Sequence, residues 1–92
     1  MVKLADRPTP VIRSVSTPAP RRVVIETSDG IRYSADLSRF EAVSCFPADE
    51  AAWSSVSIDG YGLALVWSSR FEVHVDQVIG LADKVEAVGA AA

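Results

Sequence analysis

RVVIETSDGIRYSAD, residues Arg22–Asp36, is the stretch whose reading decides the fold. In Arg22–Thr27, Val23, Ile25 and Thr27 share one side of an extended chain. In Ile31–Asp36, Ile31, Tyr33 and Ala35 alternate with Arg32, Ser34 and Asp36. A period of two is the mark of a half-buried strand. Between the two runs stands Ser28-Asp29-Gly30. Asp-Gly favours a type I′ turn, whose two central residues both need positive φ. The stretch therefore reads as a β-hairpin.

Strand signals continue on both sides. Upstream, Pro8, Pro10, Pro18 and Pro20 exclude a helix, because proline lacks an amide donor and fixes φ. Val11–Ser16 reads as a short edge strand, and Thr17-Pro18-Ala19-Pro20 as the turn that follows. Downstream, Leu37–Phe40 and Asp49–Trp53 read as single helical turns around Pro47. Ser55–Ile58 and Leu63–Trp67 read as a second hairpin turning at Asp59-Gly60. Leu63, Leu65 and Trp67 face one way and Ala64 and Val66 the other, so this strand belongs in the middle of a sheet. Phe71–Asp76 alternates as a sixth strand. Asp76 then stands as the N-cap of a helix whose buried face is Val78, Leu81, Ala82 and Val85, spaced i, i+3, i+4 and i+7.

The expected fold is α+β: an antiparallel meander of about five to six short strands, with one main C-terminal helix packed on it. Within 92 residues this is a single domain over residues 11–86, with a mobile segment at 1–10 and a frayed tail at 87–92. Trp53 and Trp67 are its natural core anchors, since tryptophan buries a large area and needs a partner for its N–H.

Composition narrows the functional classes. Net charge is −3, but residues 1–22 hold five basic residues against one acid, while the remainder holds four against eleven. An acidic body argues against sequence-independent nucleic-acid binding, which is driven by lysine and arginine on phosphates. No apolar run reaches the ~20 residues of a membrane span. The single Cys45 forms no internal disulfide, and no signal peptide is legible at the N-terminus, so a reduced, cytoplasmic location is expected.

Catalytic and ligand motifs are absent. Gly60-Tyr61-Gly62 is followed by a strand and has no lysine, so it is neither a Walker loop nor a dinucleotide fingerprint. His74 is the only histidine, and with Cys45 and the carboxylates it shows no metal-ligand spacing. Asp49-Glu50 and the pair Asp83 and Glu86 read as solvated faces. No enzyme and no cofactor are expected. Arg32, Asp59, Tyr61 and Arg70, polar or aromatic groups at turns and strand ends, are the candidate partner contacts; ordinary solvated turn residues are the competing reading.

The order of these features resembles the bacterial domain-of-unknown-function family numbered 2442. The resemblance rests on Val23–Thr27 with Asp29-Gly30, then Ala35-Asp36-Leu37-Ser38, then Trp53 before Val56-Ser57-Ile58-Asp59. Gly62, Leu65 and Trp67 follow, and Val73-His74-Val75 leads into Asp76-Gln77-Val78-Ile79, so that roughly residues 11–82 are covered. The resemblance implies a small α+β domain without established catalytic activity. It also implies a neighbouring gene for a second small protein, of the family numbered 4160, in a toxin–antitoxin-like pair. Some relatives carry a helix-turn-helix after this domain, for which a chain ending at Ala92 leaves no room. The expected role is thus a non-enzymatic protein-interaction module, which the resemblance makes antitoxin-like, with a small and basic protein as partner. Two alternatives stay open: a small-ligand sensor or minimal enzyme with a cleft between sheet and helix, and a homo-oligomer pairing through the Val11–Ser16 edge.

Overall fold

The computed structural model describes residues 10–87. The expected mobile segment 1–10 and tail 87–92 lie outside this range except for Pro10 and Ala87. Ala87 ends a strand.

The Arg22–Asp36 hairpin forms as read. β1 (Ile12–Ala19), β2 (Arg22–Thr27) and β3 (Ile31–Asp36) are antiparallel neighbours. Val23, Ile25 and Thr27 are all buried, as their alternation requires. The turn differs from type I′: Gly30 N–H donates to the Thr27 carbonyl at 3.0 Å, and only Gly30 has positive φ, 81°. Ser28-Asp29-Gly30 is thus a three-residue loop with its left-handed residue last. That closure frees Asp29 to receive the buried Thr27 hydroxyl. β1 also runs further than expected, through Pro18 to Ala19, and the bend falls on Pro20-Arg21, where Arg21 has φ 65°.

After a 3-10 turn at Ser38–Phe40, α1 (Glu50–Trp53) is capped by Asp49, whose carboxylate accepts the Ala52 N–H at 2.8 Å. The second hairpin is β4 (Ser57–Ile58) and β5 (Ala64–Val66), joined by β6 (Glu72–His74). β5 lies in the middle, as its two-sided apolar pattern demands.

The C-terminal segment departs from expectation. α2 spans only Val75–Leu81, and Ala82–Ala87 is a strand, β7, antiparallel to β3. The spacing of Val78, Leu81, Ala82 and Val85 fits a helix, but β3 offers an unpaired edge that a strand can complete. Arg22 reinforces that choice with a two-pronged bond to Asp83 at 2.9 and 2.8 Å and a third bond to Ser34 at 2.8 Å. Asp83 and Glu86 are therefore strand residues, ion-paired with Arg22 and Arg32 respectively, and not positions on a helix. The helix start is corrected as well. His74 is the N-cap, with its Nδ1 accepting Asp76 N–H at 3.1 Å while Gln77 Oε1 accepts His74 N–H at 2.9 Å.

The result is α+β with two antiparallel sheets, β1-β2-β3-β7 and β4-β5-β6, in place of one meander. Ile12 N–H donates to Gly62 O at 2.7 Å and Val75 N–H to Leu63 O at 2.8 Å, which fasten the small sheet to β1 and α2. One core joins both sheets: Ile12, Val23 and Ile25 meet Leu65, Val73 and α2's Val78. At one end of it Trp53 and Trp67 stack with centroids 5.0 Å apart, and Phe40, Phe46 and Phe71 close round them. Both indoles are satisfied, Trp67 Nε1 by the Trp53 carbonyl at 2.8 Å and Trp53 Nε1 by the Ala19 carbonyl at 3.2 Å.

Candidate functional site

The four sequence candidates do not come together. Arg32 sits in the middle of the outer face of the large sheet, bound to Glu26 at 2.9 Å and Glu86 at 3.4 Å. Asp59 and Tyr61 share the β4–β5 turn, whereas Arg70 lies in the β5–β6 turn at the other end of β5, with φ 73°. The Asp59 carboxylate is occupied: Oδ1 accepts Leu63 N–H at 2.9 Å and Tyr61 N–H at 3.1 Å. Its role in the turn is structural. Tyr61 projects from the tip, 82% exposed.

Three carboxylates are held below their ordinary pKa. The Leu63 N–H is the main cause at Asp59, the Ser38 hydroxyl at Asp36, and the Arg22 guanidinium at Asp83. A folded-state pKa below the unfolded value of about 3.9 means that the unfolded chain binds more protons in acid. The stability these groups supply is present above that value and is lost as pH falls through their folded pKa values. Urea midpoints should accordingly fall below about pH 4, and the triple change Asp36→Asn, Asp59→Asn, Asp83→Asn should flatten that decline.

At the opposite end from Tyr61 the chain builds a groove of about 600 Å³. One wall is the Pro20-Arg21 bend; the other is the loop between the 3-10 turn and α1. Phe46, Pro47 and Trp53 form the floor, and Val43, 42% exposed, stands on the wall. The loop is irregular but fixed. Val43 N–H donates to Phe40 O and Phe46 N–H to Val43 O, both at 2.9 Å, and Ser69 Oγ donates to Cys45 O at 2.6 Å. Phe46 is clamped between Trp53 and Phe71, at 5.6 and 5.1 Å.

Charge on the rim is one-sided: Glu41, Asp49 and Glu50 against Arg21, which pairs with Glu41 at 3.2 Å. The groove thus offers an apolar floor, a fixed backbone and a net negative rim. Sequence reading missed Val43, Phe46 and Glu41 because the loop has no period; its one signal was Phe46-Pro47 set among apolar and acidic neighbours. Elsewhere, among the described residues, no cluster of His, Cys, Asp and Glu could hold a metal ion. His74 is engaged as a helix cap, and Trp67 is buried against Trp53. No described helix is long and apolar enough to cross a membrane.

Fold and groove together define a small α+β domain with a preformed apolar, acid-rimmed surface. No protein-family model, curated protein or solved structure matches the chain.

Proposed function

We propose that this protein is a non-catalytic, cytoplasmic interaction module that receives a basic segment of a small partner protein in the groove beside Trp53. The carrying observation is the pairing of an apolar floor with a net negative rim on a fixed loop. Such a surface suits an apolar side chain flanked by lysine or arginine. Apolar contact supplies affinity, and the rim supplies steering and discrimination against acidic chains. Because the loop is already tied down, little conformational entropy is lost on binding. The resemblance to family 2442 supports the same reading, with this chain as the antitoxin-like member of a bacterial pair.

Co-expression with the protein encoded beside it tests the proposal. The two should co-purify, and Val43→Arg should abolish the complex, because it puts a positive charge where the basic segment docks, while leaving the melting temperature unchanged, since Val43 is on the surface. Separate elution of the two wild-type proteins at micromolar concentration, or a complex indifferent to Val43→Arg, refutes it. A small-ligand sensor is the second reading, because the groove volume lies within the range of small-molecule pockets. It predicts a raised melting temperature with a metabolite in the absence of any protein partner.

A further inference from the structure

The large sheet has two edges, and they are not alike. β1 is interrupted by Pro18 and by two register shifts, and Ile12 spends its outward N–H on Gly62. These are the usual ways of blunting an edge. β7 is guarded less: it has one register shift, at Asp83, and the charges of Asp83, Lys84 and Glu86, but no proline, and among the described residues no strand lies on its outer side.

The direction of its backbone groups follows from the ladder. Ser28 N–H donates to Val11 O and Leu37 N–H to Arg21 O. Even-numbered residues of β2 therefore face β1, and odd-numbered residues of β3 face β2. Arg32 and Ser34 face β7, where they pair with Glu86 and Lys84. Beyond the register shift at Asp83, that leaves Val85 and Ala87 with N–H and C=O turned outward. Val85 pairs with Tyr33, whose side chain packs on the core, yet Val85 is itself 57% exposed.

We propose that two copies of this chain associate through β7, antiparallel about a two-fold axis at Val85, so that their four-stranded sheets become one continuous sheet. Among axes at Asp83, Lys84, Val85 and Glu86, charge selects the one at Val85. An axis at Val85 places Lys84 opposite Glu86 of the second copy, twice by symmetry, and sets the two Val85 side chains against each other. Axes at Asp83, Lys84 or Glu86 set like charges face to face. A strand pair of this length is a small interface, so association is weak and needs high protein concentration.

Sedimentation equilibrium on the full chain tests this. The wild type should move from its 9.8 kDa monomer towards twice that mass as concentration rises into the high micromolar range. Lys84→Glu and Glu86→Lys should each weaken self-association by about tenfold or more, because each turns both cross-strand pairs repulsive. Mixing the two variants restores opposite charges at both pairs and should restore the dimer. As a check that does not depend on those variants folding, Lys84→Cys and Glu86→Cys proteins, each with Cys45→Ser, should oxidise to a covalent dimer when mixed, since facing residues of a non-hydrogen-bonded pair lie about 4.5 Å apart at Cα, within disulfide reach. A wild type that stays monomeric, single-charge variants that associate as the wild type does, or a mixture of the two cysteine variants that forms no covalent dimer would each overturn the proposal.

Discussion

Trp67→Ala is expected to lower unfolding free energy by about 3–5 kcal/mol, the range for removing a large buried aromatic side chain. Trp67 is almost wholly buried, stacks on Trp53, and lies with its ring centroid 5.1 Å from that of Phe71. It is also the link by which β5 holds α1, through Nε1 and the Trp53 carbonyl. Losing it leaves a cavity between the two sheets and strips that carbonyl of its partner. Small domains have only about 5–15 kcal/mol in total, so this one change removes a large fraction of the stability. Trp67→Phe separates the two contributions: it keeps most of the volume and loses the N–H, and should cost about 1–3 kcal/mol. Urea titration followed by circular dichroism reads both. A loss below about 1 kcal/mol for Trp67→Ala would show that the aromatic cluster is not the keystone of the core.

Gly62→Ala is the second large effect, at about 1–3 kcal/mol destabilising, with Gly60→Ala near neutral. Gly62 has φ 73°, and a Cβ there would lie 3.0 Å from the Val11 Cβ and 3.4 Å from the Ile12 carbonyl. Neither neighbour can withdraw freely, because the Gly62 carbonyl is bonded to Ile12 N–H. Gly60 has open space around it and no positive φ. Equal costs at the two glycines would contradict this account of how the sheets are joined.

That pair also shows where the sequence was legible and where it was not. The Asp59-Gly60 dipeptide signals the hairpin correctly, but the left-handed residue is Gly62, because Asp59 caps the turn with its carboxylate and moves the strained position two residues on. The alternation of Val23, Ile25 and Thr27 and the two-sided apolar run at Ala64–Val66 could be read directly, because burial follows the period of the strand. Residues 82–87 could not. Val78, Leu81, Ala82 and Val85 satisfy a helical period, and what decides against it is remote in sequence: the unpaired edge of β3 and the reach of Arg22 to Asp83. His74 as N-cap was hidden for another reason, since histidine is not among the usual capping residues. The groove was least legible, because Arg21, Val43 and Phe46 converge only when the Ala19 carbonyl receives the Trp53 indole and brings the Pro20-Arg21 bend over the loop.

The central claim is that the groove beside Trp53 takes a basic, apolar segment, and amide chemical-shift mapping of the 15N-labelled protein tests it most directly. Two short peptides are titrated in parallel, one alternating lysine with leucine and one alternating glutamate with leucine. The lysine peptide should shift the amides of residues 41–50 and the indole N–H of Trp53 in a saturable way, and the glutamate peptide should not. Shifts of equal size with both peptides, or shifts that map to the Asp59–Gly62 turn and leave residues 41–50 unmoved, would contradict it.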